Sequence, residues 1–298
     1  MTARVALTTC GQLPDGDEDA ELLVAALHRA GACPSWQRWD DPSVDWHAFD
    51  CALIRSTWDY TLRRDEFVAW ARSVPRLVNN ATVIEWNSAK TYLADLAAAG
   101  LPVVSSAFLP PGQEQLPFTG DIVIKPAVGA GSRGAGRFLL PDQRAAASSH
   151  VTRLHADGLT VLIQPYCTDI DTQGETAIIW LGGRPSHVVR KAALLPPGSA
   201  HQLQQPSAAI AHSLFVAENI SASQASSAQL AVARAATAYV QESFGPVAYA
   251  RVDLLPTSAG PVVTELELIE PSLFLGFAPD PDAAADLLVH QLLGLDVG

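Results

Sequence analysis

The chain has 298 residues and carries 31 Asp and Glu against 19 Lys and Arg, a formal net charge of −12 that argues against a general nucleic-acid binder, whose affinity comes largely from neutralised phosphates. At about 150 residues per domain the length sets a prior of two domains with a substantial core, enough for an enzyme. No run approaches the roughly 18 apolar residues of a membrane helix, and the opening MTARVALTTCG is a poor signal peptide and a good first strand, so a cytoplasmic protein with no membrane partner is expected.

RVALTT (4–9) reads as a buried strand. DGDEDAELLVAALHRAG then reads as a helix with acidic residues in its first turn, an apolar face of Leu22, Leu23, Ala26, Leu27 and Ala30, and Gly31 just past its end. PSWQRW and CALIRS are further strands, the second running into Arg55, Ser56, Thr57, Trp58, Asp59 and Tyr60; a helix over 63–73 and a short strand, RLVNN, follow. Strands alternating with helices predict an α/β fold with an open, mostly parallel sheet, and ligands of such sheets sit outside the carboxyl ends of the strands, where RSTWDY falls. The next helix is predicted over 88–99 and carries Lys90. DIVIKPAV, the loop GAGSRGAG and RFLL precede a helix over 142–155 and the strand VLIQPY. ETAIIWL and PSHVVRKAALL flank an LGGRP turn in which Gly182 and Gly183 supply positive φ. LPPGSAHQLQQPSAAIAH has no periodicity and reads as a mobile loop. A helix over 225–243, the strands VAYARVDLLP and PVVTELELIE, and a helix opened by Asp280 and Pro281 complete the chain.

Only three lysines, Lys90, Lys125 and Lys191, stand against sixteen Arg. Gly129, Gly131 and Gly134 satisfy GxGxxG, but a dinucleotide fingerprint needs a helix to start at the loop, and here a strand-like RFLL follows. What remains is either a bland turn or a glycine hairpin whose amides and Ser132 close over phosphates, with Lys125 on the incoming strand. In TELEL the period-two alternation puts Glu265 and Glu267 on one face, and a turn near 256–261 brings Asp253 opposite Glu265, beside Arg251. Such oxygen ligands suit Mg²⁺ and not zinc; the bland alternative is a solvated acidic face. Arg55 could hold a carboxylate while Trp58 and Tyr60 wall a small pocket, or it pairs with Asp59 at a core edge. Gln164 and Tyr166, polar at the end of a short strand, could meet an adenine. The eight His show no zinc spacing, no GxSxG elbow is present, and the four Cys form no CxxC pair.

In this order the motifs resemble the ATP-grasp superfamily, in the branch of glutathione synthetase and the D-alanine–D-alanine ligases, and the resemblance spans the whole chain. It implies an ATP-grasp fold with an N-terminal open parallel-sheet (pre-ATP-grasp) substrate-binding domain at 1–87, a lid subdomain at 88–162 and a C-terminal subdomain with the metal site at 163–298. It implies Lys90, Lys125, Gly129, Gly131, Ser132, Gly134, Gln164, Tyr166 and Glu175 for nucleotide, and Asp253, Glu265 and Glu267 for Mg²⁺, with Glu270 a rival ligand because Glu267 replaces the usual Asn. Arg251 and Lys125 take catalytic roles; Arg55, Ser56, Thr57, Trp58, Asp59, Tyr60 and Lys191 take the substrate. RSTWDY, WNSAK and ELELIEPSLFL are further similar to the D-cycloserine synthetase family, cyclo-ligases of O-ureido-D-serine. That implies ATP and Mg²⁺ as cofactors, phosphorylation of a small amino-acid carboxylate, and ring closure with release of ADP, phosphate, CO₂ and ammonia, with the 196–212 segment closing over the site. The competing expectations are an intermolecular amino-acid ligase and a non-catalytic nucleotide binder. The oligomeric state stays open, a homo-oligomer included.

Overall fold

The computed structural model describes residues 2–196, 198–200 and 219–294, so most of the 196–212 segment lies outside the described residues. No helix among them is long and apolar enough to cross a membrane.

Strands β1 (Arg4–Thr9), β2 (Cys33–Arg38), β3 (Cys51–Ser56) and β4 (Leu77–Val78) form a parallel sheet in the order β2-β1-β3-β4. Both faces are apolar, as a parallel sheet with covered faces requires. Val5, Leu7 and Leu53 pack on one side, and Ala6, Ala52 and Ile54 on the other, against Phe67 and Ala71 of α2 (Arg64–Ser73). Helix α1 runs only over Ala20–Arg29. The acidic run expected to open it is instead a loop whose Asp17 and Asp19 turn inward to Arg55.

Of the helix predicted over 88–99 only α4 (Tyr92–Ala98) forms; Lys90 lies before it, in the break that separates it from α3 (Ala81–Asn87), a helix the sequence reading did not predict. The cause is tertiary: the Lys90 amide donates to the Ala127 carbonyl at 2.7 Å, which fixes the break against the glycine loop. Asn80 caps α3, its side chain accepting from the amides of Thr82 and Val83.

The second sheet has the order β5-β8-β6-β7 and is antiparallel, from β5 (Ala107–Leu109), β6 (Asp121–Pro126), β7 (Gly136–Leu139) and β8 (Val161–Pro165), with α5 (Arg144–Ala156) packed on it. The glycine loop connects β6 to β7 as a hairpin with no helix at its exit, which removes the dinucleotide reading.

The third sheet, order β11-β10-β9-β12-β13, comes from β9 (Glu175–Leu181), β10 (Arg184–Lys191), β11 (Ile220–Ser223), β12 (Tyr249–Leu255) and β13 (Val262–Glu267); the short α6 (Ile170–Gln173) precedes β9. Gly182 and Gly183 turn the β9–β10 hairpin at φ of 56° and 78°. Helix α7 (Ser227–Phe244) starts with a capping box between Ser226 and Gln229. Helix α8 (Pro281–Leu293), capped by Asp280, packs beside α1, so one core runs from Val5 and Leu23 through Ile179 to Leu288. The register pairs Asp253 with Glu265 and Arg251 with Glu267. The outer edge of β13 is covered by backbone at Val263, which bridges to Val103, and by side chains farther on: Asn87 donates to the Leu266 carbonyl at 2.8 Å and accepts from the Leu268 amide at 2.9 Å, while the Leu266 amide donates to the Tyr92 hydroxyl at 3.0 Å.

Candidate active site

Period-two alternation sends Leu266 and Leu268 into the core and Glu265 and Glu267 into a cavity of about 650 Å³ where the three sheets meet. The β6 strand brings Lys125 to its wall, the α3–α4 break brings Lys90, and β10 brings Lys191. Lys125 donates to Glu265 at 2.7 Å and Lys90 approaches the other Glu265 oxygen at 3.3 Å. Arg251 on β12 donates to Glu267 and, through Nε, to Asp253 at 2.9 Å. Lys191 donates to Asp253 at 2.8 Å and pairs with Glu175.

Burial alone would raise every carboxyl here, and the cations decide the outcome. Against burial, Lys125 and Lys90 hold Glu265 well below the usual carboxylate range, and Arg251 and Lys191 hold Asp253 down. Burial wins at Glu175, pushed up to about 7 despite Lys191. It also wins at Glu270, pushed up to about 8 by burial and then by Glu267. Glu267 is likewise raised, by burial and by Asp253 and Glu265 acting against Arg251.

Of the nucleotide residues expected from sequence, Lys90, Lys125, Gly129, Gly131, Ser132, Gln164, Tyr166 and Glu175 line the cavity. Gly134 does not; it lies at the foot of the loop, its carbonyl taken by His150 at 2.8 Å. Gly131, Ser132 and Gly134 sit at φ of 60°, 56° and 71°, a left-handed run suited to presenting amides. Trp58, Tyr60, Lys191 and Arg251 also line the cavity.

Four expected substrate residues stand behind that wall instead. Arg55 is fully buried, away from the cavity lining, and its Nη2 bonds Asp17 at 3.1 Å and the Pro271 carbonyl at 3.0 Å, so Asp59 is not its partner; Nε and Nη1 are buried with no hydrogen-bond partner among the described residues. Asp59 is held by Trp39 at 2.9 Å and Arg63 at 2.8 Å; Ser56 bonds Thr9; Thr57 is buried. Sequence reasoning missed Arg133, whose guanidinium ties the glycine loop to the Trp58 carbonyl at 3.0 Å and the Thr61 hydroxyl at 2.7 Å, and it missed the loop around Asp17 and Glu18. Arg133 carried a signal, the one charge inside a glycine loop.

Glu265 and Glu267, hard oxygen donors two residues apart on one strand face, fit a divalent cation of the Mg²⁺ kind. Asp253 does not line the cavity, being fully buried and taken up by Arg251 and Lys191. Among the described residues no group of three His, Cys, Asp or Glu is gathered about one point, because lysine and arginine occupy the carboxylates.

Residues 5–79 match the family model of the D-cycloserine synthetase DcsG N-terminal domain. The cycloserine biosynthesis protein DcsG of Streptomyces lavendulae is 34% identical over 285 residues, covering 89% of this chain and 90% of that one. The crystal structure of D-cycloserine synthetase DcsG superposes with a TM-score of 0.84 at 34% identity over 97% of this chain and 100% of that one. A RimK domain protein ATP-grasp from Sphaerobacter thermophilus shares the fold, with a TM-score of 0.67 at 17% identity over 98% of this chain and 100% of that one. Full-length similarity at this level, on an ATP-grasp architecture, places the chain in the D-cycloserine synthetase DcsG family, as an ATP-dependent ligase.

Proposed function

We propose that the protein is a Mg²⁺-dependent cyclo-ligase that uses ATP to activate the carboxylate of O-ureido-D-serine as an acyl phosphate, then closes the ring to D-cycloserine. The oxygen-linked ureido nitrogen loses its proton and attacks the acyl carbon as phosphate leaves; one water then hydrolyses the N-carbamoyl bond, and the carbamoyl group departs as CO₂ and ammonia. The observation that carries this reading is one cavity in which the Lys90–Lys125–Arg251 cations face the Trp58–Tyr60 wall, in a chain 34% identical to DcsG. In this reading residues 1–87 supply the substrate wall, 88–162 the lid, and 163–298 the carboxylate strands.

Lys90, Lys125 and the amides of the 129–133 loop receive the triphosphate. As it enters, its charge draws both lysines from Glu265, and Glu265 and Glu267 are left to hold Mg²⁺. When bound, the metal supplies charge neutralisation at the transferring phosphoryl group. Arg251 stabilises the acyl phosphate oxygen. Arg133 ties the loop down over Trp58 and keeps water from the acyl phosphate. An internal nucleophile needs no second amine pocket, since its effective molarity reaches roughly 10⁵ M in good geometry.

The test is product analysis. O-ureido-D-serine given alone with ATP and Mg²⁺ is expected to yield ADP, phosphate and D-cycloserine in equal amounts. No ring product, with an added amino acid coupled instead, would make the protein an intermolecular ligase.

A further inference from the structure

We propose that the Glu270 carboxylate is the receptor for the α-ammonium group of the amino-acid substrate. The inference rests on the amino-acid ligase reading above and adds the place where the substrate's positive end is held.

Five carboxyls gather on this side of the third sheet. Glu265 pairs with Lys125 and Lys90, Glu267 with Arg251, Asp253 with Arg251 and Lys191, and Glu175 with Lys191. Glu270 alone of the five has no ion pair within 4.0 Å among the described residues, although it is only 8% exposed and lines the cavity. A buried carboxyl that lacks a counter-charge is costly to keep ionised, and an arriving cation relieves that cost.

Its position selects the cation. The Glu270 carbonyl accepts from the Trp58 indole at 3.1 Å, and the next carbonyl, of Pro271, accepts from Arg55, so the turn after β13 is pinned to the aromatic wall. Lys90 and Arg251 are near enough for their charge to reach the Glu270 carboxyl. In an α-amino acid the ammonium and the carboxylate share one carbon. A carboxylate directed at the phosphate-side cations therefore carries its ammonium toward Glu270. The acids of the N-terminal loop are otherwise engaged or open to water: Asp17 with Arg55, Asp19 with the Leu273 and Leu275 amides, Glu18 exposed.

The experiment compares O-ureido-D-serine with 3-(ureidooxy)propanoate, the same molecule with hydrogen in place of the ammonium, in the wild type and in Glu270→Gln. The variant is expected to raise KM for the amino acid by about 30-fold or more, as loss of a buried charge partner does. It is also expected to leave the KM for ATP and the Mg²⁺ requirement unchanged, and to lose the wild type's preference for the amino compound, with Glu270→Asp restoring part of it. A wild type that does not distinguish the two compounds, or a variant that still does, overturns the assignment. So does a raised Mg²⁺ requirement with unchanged amino-acid KM, which would make Glu270 a metal ligand. If ADP is released with a different α-amino acid, the cyclo-ligase reading falls, and Glu270 is judged by the same comparison on that amino acid and its des-amino analogue.

Discussion

Lys125 stands at 2.7 Å from Glu265, so its charge is already held at the cavity wall, and in the proposed reading it turns from that carboxylate to a triphosphate at no further cost in side-chain ordering. Lys125→Ala is expected to weaken ATP binding by about ten- to a hundredfold, the worth of one charge-assisted contact, as measured by calorimetry; unchanged affinity would remove the role. Glu265→Ala and Glu267→Ala are each expected to abolish Mg²⁺-dependent ADP formation, and full activity in both would remove the metal assignment. Arg55 is a different case. Its removal leaves Asp17 buried and unpaired, so Arg55→Ala should lower the unfolding free energy by about 3–5 kcal/mol in urea titrations; a variant as stable as the wild type but with a raised substrate KM would return Arg55 to the substrate. The sequence showed that Arg55 was chemically notable, but the acid nearest in sequence is Asp59, and the real partners lie 38 and 36 residues back, where they read as helix decoration. Alternation made the pairing of Asp253 with Glu265 and the place of Arg251 beside Asp253 legible; it carried no information on Lys191, the second cation on Asp253, which comes from another strand.

Elements whose cause is local were readable. The diglycine turn, the β6–β7 hairpin and the Asp280–Pro281 helix start each depend on residues within a few positions of one another. The break that isolates Lys90 was not readable, because it is fixed by a hydrogen bond to Ala127, far along the chain and just past the end of β6. The diglycine turn also packs on α8. At Gly182, with φ of 56°, a Cβ would stand 3.0 Å from Leu287 Cδ1. Gly182→Ala should therefore cost about 1–2 kcal/mol of stability, seen as a lowered urea midpoint, with the KM for ATP unchanged. A neutral effect would mean that the turn relaxes without α8.

At the scale of the whole molecule two buried histidines contribute to the response to mild acid. His150 on α5 bonds the Gly134 carbonyl at 2.8 Å, and His187 on β10 bonds the Leu273 and Phe274 carbonyls at 2.8 and 3.1 Å. A carbonyl only accepts, so Nε2 carries the proton in both rings. Burial, outweighing the carbonyls, lowers both below the ordinary histidine value. The unfolded chain therefore binds more protons as the pH falls below about 6.5, and the stability these residues contribute, full above that value, is lost progressively through their lowered folded pKa. Glu175 and Glu270, raised to about 7 and about 8, act with the opposite sign: their contribution is present at low pH and lost as pH rises toward those values. The variants separate the two effects. His187→Gln should flatten the slope of unfolding free energy between neutral pH and about 5, and an unaltered slope would show that the ring is protonated in the fold.

The covered edge of β13 has a consequence for how reliably the site is made. Sliding β13 by one residue along β12 would turn Leu266 and Leu268 into the cavity and bury Glu265 and Glu267 among the core leucines and valines. Asn87 grips the carbonyl of Leu266 and the amide of Leu268, so it fits only the correct setting. It thereby acts as a register clamp: a misaligned strand forfeits both amide bonds as well as its burial, which disfavours the setting that puts the charges on the wrong face.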